Sequence, residues 1–154
     1  MLRVNSREYS QSEYLELLEK AAIPATAIEN CPQGILLEQA CDVFALPGFV
    51  EGAVSVQDGA AQQVVDLLDL QPNQRILDAC SAPGGKTCHI LERFPNNEVI
   101  AVDISQERLE HVEENLSRLN LSANCLAADA SNPQNWWNGE QFDRILIDAP
   151  CTRS

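Results

Sequence analysis

The segment Arg75 to Lys86, Arg-Ile-Leu-Asp-Ala-Cys-Ser-Ala-Pro-Gly-Gly-Lys, constrains the fold more than any other part of the chain. Arg75 to Ala79 reads as a short apolar strand, Ser81 to Gly85 as a loop of small residues, and Thr87 to Arg93 as the helix that follows. Strand, glycine loop and helix together form the opening unit of a nucleotide-binding α/β sheet. Without a Cβ, Gly84 and Gly85 admit unusual backbone conformations and close approach. The start of the next helix offers N–H groups and partial positive charge to an anionic group.

Three ligands suit such a loop. A Walker A phosphate loop would explain Gly85-Lys86-Thr87, but the glycine it needs five residues before Gly85 is Cys80. A dinucleotide fingerprint would need a third glycine, and only Gly84-Gly85 is present. S-adenosylmethionine is the third, its carboxylate sitting where a phosphate would.

Beyond the loop, the chain alternates. Val99 to Val102 reads as a buried strand, Gln106 to Leu119 as an amphipathic helix, Asn124 to Ala127 as a third strand and Arg144 to Ile147 as a fourth. Strand-helix alternation implies a parallel sheet with right-handed crossovers. Ligands of such sheets bind at the carboxyl ends of the strands. An acid stands at each of these ends. Asp103 lies 18 residues past Gly85, close to the ~20 of a ribose-binding acid. Asp129 is placed to accept from an adenine amino group, and Asp148 to stand beside the reacting end of a cofactor. Read singly, each would be a solvated strand end; their repetition beside the glycine loop marks a site.

Asp78-Ala-Cys-Ser-Ala-Pro-Gly-Gly-Lys-Thr87 resembles the motif of the RNA cytosine-5 methyltransferases, and Asp148-Ala-Pro-Cys151 resembles their second signature, in the same order and at a fitting separation. The likeness runs from Leu2 to about Cys151 and is greatest to the bacterial members that act on small-subunit (16S) rRNA. It implies a Rossmann-like S-adenosylmethionine-dependent methyltransferase sheet, truncated after the fourth strand and preceded by a small α+β segment. It implies S-adenosyl-L-methionine held by Cys80, Ser81, Ala82, Pro83, Gly84, Gly85, Lys86, Asp103, Asp129 and Asp148. It also implies a thiolate mechanism: a cysteine adds to cytosine C6, carbon 5 takes the methyl group, its proton leaves and the thiol is eliminated. The attacking cysteine belongs to a later motif that no residue here matches. Cys151 matches the second cysteine, which assists product release. Thr152-Arg153-Ser154 departs from the glycine-containing continuation of relatives. The chain is therefore expected to be a central piece of a longer enzyme and inactive alone. Methylation of tRNA cytosine, or cofactor or RNA binding without catalysis, are the alternatives.

Residues 1–50 are expected to form the α+β segment and residues 51–154 the partial methyltransferase domain. In the first, Leu2 to Asn5 reads as an edge strand, Ser10-Gln-Ser-Glu13 as a capping box before a helix ending at Pro24, and Ile35 to Leu37 as a strand. In the second, Ala53 to Val56 reads as a strand and Ala60 to Leu70 as a helix, with Asp58 as N-cap. Trp136-Trp137 reads as packing rather than as an RNA stack. A net charge of −13 runs against RNA binding, which draws affinity from neutralised phosphates; the resemblance answers in part, since relatives carry a further helical RNA-binding domain. Six cysteines without Cys-x-x-Cys spacing and two histidines leave no zinc pattern. No eighteen-residue apolar run and no apolar signal core after Met1 make the cytoplasm the expectation, and the full-length parent is expected to be a monomer.

Overall fold

The computed structural model describes residues 1–149. They divide into two compact units, Met1–Leu67 and a second that begins at Leu68.

In the first unit, β1 (Leu2–Val4), β2 (Ala25–Ala27), β3 (Gly34–Leu37) and β4 (Val54–Val56) form an antiparallel sheet in the order β2-β3-β1-β4. Helix α1 (Gln11–Lys20) starts at the Ser10–Glu13 capping box. One turn apart, Tyr14 and Leu18 share a face and bury it against Leu2, Val4, Ile35 and Val54. The opposite side of β1 is polar yet buried. Arg3, 0% exposed, pairs across the ladder with Ser55 and donates to Gln57 Oε1 at 2.5 Å. Gln62 of α2 (Gly59–Leu67) donates to the Leu2 and Gln57 carbonyls at 3.0 and 3.1 Å. This pairing corrects two expectations. β1 is an interior strand, bonded to β3 and β4, rather than an edge. Val54–Val56, expected to open the second segment at residue 51, belongs to the antiparallel sheet. Three-residue strands carry too little side-chain pattern to declare their partners.

In the second unit, β5 (Arg75–Asp78), β6 (Glu98–Asp103), β7 (Asn124–Ala127) and β8 (Arg144–Leu146) are all parallel, in the order β7-β6-β5-β8. Helix α3 (Gly85–Arg93) crosses from β5 to β6 and α4 (Gln106–Arg118) from β6 to β7; both pack on β6. Sequestration of both faces explains the unbroken apolar run Val99 to Val102. On one face Leu77, Ile100 and Val102 meet Leu126, Trp136 and Phe142. Trp136 thus packs as its sequence setting suggested, its Nε1 donating to the Asp129 carbonyl at 3.0 Å. Among the described residues β8 is an edge strand, and Ile145 on it is 53% exposed.

Gly84 is required where α3 begins. Its φ is +97°, and a Cβ there would lie 3.0 Å from Val112 Cα and 3.1 Å from Val112 Cγ1 on α4. Backbone cannot yield as a flexible side chain can. Gly84→Ala is expected to destabilise the second unit by about 1–3 kcal/mol, read as a lower urea midpoint by circular dichroism; an unchanged midpoint would refute the close-packing account.

Candidate functional site

The loop after β5 is fastened strand-side and helix-side. Ala79 N donates to the Leu146 carbonyl at 2.9 Å and Ser81 N to the Val102 carbonyl at 3.0 Å, so the chain leaving β5 is gripped by both neighbouring strands. Ala82 N donates to Asp103 Oδ2 at 3.2 Å. Gly84 N closes the turn onto the Ser81 carbonyl at 2.7 Å, and Asn115 Nδ2 of α4 donates to the Pro83 carbonyl at 3.0 Å. The Ala82–Pro83 peptide is cis. Gly85 opens α3 and Lys86 follows it.

Beside this loop lies a cavity of about 300 Å³, lined by Cys80, Asp103, Ile104, Arg108, Asp129 and Ser131 with small apolar neighbours. It spans the carboxyl ends of β5, β6 and β7. The residues expected from sequence therefore separate into groups. Cys80, Asp103 and Asp129 line the cavity; Ser81, Ala82, Pro83 and Gly84 shape the loop. Lys86 and Asp148 form an ion pair that ties the start of α3 to the chain leaving β8. Cys151 lies outside the described residues. A larger concavity, about 580 Å³, belongs to the first unit, between Leu15, Glu16, Glu19, Ile23 and Glu38. It holds no basic, nucleophilic or glycine-loop residue.

Each acid is held differently. Asp103, 3% exposed, accepts from Ala82 N through Oδ2 and from Ser105 N at 3.2 Å through Oδ1, and Oδ1 also stands 3.4 Å from Arg108 Nη1 in an ion pair. Asp129 is exposed and knotted into its own turn. Its Oδ1 accepts from Ser131 N at 2.9 Å and Ser131 Oγ at 2.7 Å, and its Oδ2 from Asn132 Nδ2 at 2.5 Å. The Ser131 bonds, then that from Asn132, hold its carboxyl below the usual value. A carboxylate offers about four acceptor positions. Hydrogen bonds fill two on Asp103 and three on Asp129, so each acid keeps acceptor capacity for a ligand donor. Burial, then the neighbouring Asp103 and Asp78 charges, push the Cys80 thiol up, which keeps it a thiol rather than a thiolate.

Arg108, Thr87, Ser131 and Asn132 were missed from sequence. Thr87 Oγ1 donates to the buried Asp78 Oδ2 at 2.7 Å, an interaction hidden in the Gly-Lys-Thr triplet. Arg108 had a signal in Ser105, the N-cap of α4, which bonds Arg108 N at 3.3 Å and fixes the direction of the first turn.

Residues 65–154 match the family model described as 16S rRNA methyltransferase RsmB/F. The chain belongs to that family. Residues 1–44 match the ferredoxin-like domain of RsmF/B-like methyltransferases. A curated RsmB/F relative, ribosomal RNA small subunit methyltransferase B of Pseudomonas syringae pv. tomato, is 54% identical over 99% of this chain and 34% of its own length. That of Vibrio cholerae serotype O1 is 53% identical over 98% and 35%. The chain thus spans about a third of the length of these relatives. Among solved structures, a methyltransferase homologue from Pyrococcus horikoshii superposes with a TM-score of 0.84 at 27% identity, over 98% of this chain and 50% of that one. NSun6 of the same organism shares the fold, with a TM-score of 0.83 at 20% identity over 97% and 62%. The RsmB/F assignment confirms the resemblance and the α/β methyltransferase fold expected from the glycine loop.

Asp78 gives this site a pH signature. Burial dominates and raises its carboxyl above the ordinary value, against the lowering effects of Thr87, Lys86 and the Cys80 N–H. An acid with a raised folded value binds its proton more tightly folded than unfolded. Its contribution to stability is then greatest below the unfolded value of about 4 and falls as pH rises through the raised folded value. Asp78→Asn removes that fall while keeping an acceptor for Thr87. The stability of the variant relative to wild type should therefore increase as pH is raised from about 4 towards neutrality. Urea midpoints across that range check it; a relative stability that decreases with pH would contradict the burial account.

Proposed function

We propose that this chain supplies the S-adenosylmethionine site of an enzyme that methylates C5 of cytosine in small-subunit ribosomal RNA. The observation that carries the reading is the cavity beside the glycine loop, where Asp103 and Asp129 each retain acceptor capacity. Its chemistry fits the cofactor. Asp103 accepts from a ribose hydroxyl and Asp129 from the adenine amino group. Ile104, 73% exposed at the cavity, supplies an apolar surface for the flat base. RsmB/F membership and the names of the curated relatives support the rRNA substrate. A coclaurine N-methyltransferase bound to S-adenosylhomocysteine, similar over 59% of this chain with a TM-score of 0.50 at 29% identity, supports the cofactor.

When bound, S-adenosylmethionine presents a methyl group on a sulfonium. The chain's own residues hold and orient it. The Lys86–Asp148 pair fixes the segment that leads into Pro150 and Cys151. By resemblance, Cys151 Sγ assists release of the methylated base after the proton at C5 has left, the attacking thiolate coming from the later motif of the family.

Asp103→Ala should weaken S-adenosylmethionine binding by about 1.5–3 kcal/mol, the worth of a hydrogen bond to a charged group. The test uses the full-length protein, radiolabelled S-adenosylmethionine and unmodified small-subunit rRNA. Wild type is expected to place label at cytosine C5, and the variant to need roughly ten- to hundredfold more cofactor. No label on rRNA from wild type, or an unchanged cofactor requirement in the variant, would refute the proposal.

A further inference from the structure

The first unit carries a groove and an open strand edge side by side. The groove, about 580 Å³, lies between α1 and the start of β2. Leu15, Ile23 and Ala25 line it half-buried, continuing the core beneath, whereas Glu16, Glu19 and Glu38 line it exposed. No basic residue lines it, and among the described residues no ion pair or hydrogen bond engages the three carboxylates. Among the described residues β2 is also an edge of its sheet. Glu38 N donates to the Pro24 carbonyl at 3.0 Å and Ile28 N to the Gly34 carbonyl at 2.9 Å, so Pro24, Thr26 and Ile28 face β3. Ala25 and Ala27 therefore turn their N–H and C=O groups to the open side.

We propose that this edge takes up an extended, lysine- or arginine-bearing segment of a partner protein as an added strand. Backbone bonds to Ala25 and Ala27 hold the segment, and its alternate side chains fall on the α1 face, beside Ala25. Cations two residues apart then meet Glu16, Glu19 and Glu38 while their methylene stems cover Leu15 and Ile23. Charge selects this occupant. A phosphate backbone would meet three uncompensated carboxylates, and a second copy paired edge to edge would set the same carboxylates of both copies against one another. Pro24 and the three-residue length of β2 keep the edge short, which suits a peptide segment rather than a further sheet.

Fluorescence anisotropy on the full-length protein tests the proposal, with labelled Lys-Thr-Lys-Val-Lys-Thr-Lys as the probe. Controls are a form with glutamate in place of lysine and two forms N-methylated on the odd or on the even residues. Wild type should bind the lysine peptide saturably, lose about tenfold for one methylated form only, and not bind the glutamate form. The triple variant Glu16→Gln, Glu19→Gln, Glu38→Gln should bind the lysine peptide about tenfold more weakly. Ala27→Pro, which removes an outward N–H and no bond to β3, should lose a similar factor. Melting curves show that the variants are folded, and the two methylated peptides decide the matter on wild type alone. No saturable binding by wild type, equal binding of the two methylated forms, or unchanged affinity in the glutamine variant would overturn the inference. Labelled oligocytidine that binds wild type and is weakened about tenfold by Ala27→Pro would give the edge to RNA and overturn it too. A dimer of the full-length protein abolished by Ala27→Pro would do the same in favour of a second copy.

Discussion

Parallel pairing of β5 with β6 is the constraint on which the site depends. The register sets Asp78 opposite Ala101, so β6 continues two residues beyond the end of β5. That overhang gives the glycine loop something to close upon. Ser81 bonds the Val102 carbonyl and Ala82 bonds the Asp103 carboxylate in succession, as though the ladder continued after the strand had ended. Displacement of the register by one residue would turn Asp103 to the opposite face, and the loop, the acid and Arg108 would no longer meet. Gly84 completes the arrangement from the helix side, where the closeness it permits is to Val112. At this position glycine serves helix packing rather than ligand approach, and the ligand gains indirectly from a loop held in one conformation.

Charge sets the division of labour between the units. Of the ten basic residues, only Arg3, Arg7 and Lys20 fall within Met1–Leu67, and Arg3 is fully buried in the polar layer with Gln57. Two exposed cations among ten acidic residues offer little to a phosphate backbone. The broad concavity of this unit carries Glu16, Glu19 and Glu38 and would repel one. The physical case for a cofactor is therefore built in the second unit, where Lys86 and Arg108 are each engaged by an acid.

The second unit was legible in sequence to the level of its elements, because buried parallel strands read as apolar runs and α4 shows a clear apolar stripe at Leu109, Val112 and Leu116. The strand-end acids were legible for the same reason: once the strands are placed, their ends are placed. What the acids do was not. Asp103 and Asp129 read as open acceptors, whereas two donors already engage the first and three the second; those donors, Ala82 N and Ser131 N among them, are set by backbone geometry that composition does not carry. In the first unit Tyr14, Leu18 and the Ser10 capping box announced α1, but β1 has three residues and its partners lie tens of positions away. Its interior place followed from pairing alone.

The central claim is that the carboxyl ends of β5, β6 and β7 form the cofactor site. Amide chemical shifts of the full-length, ¹⁵N-labelled protein titrated with S-adenosylhomocysteine test it most directly. The account predicts perturbations concentrated at Cys80 to Lys86, at Asp103 to Ser105 and at Ala128 to Ser131. Perturbations gathered instead around Leu15, Glu19, Ile23 and Glu38, with the glycine loop unmoved, would contradict it.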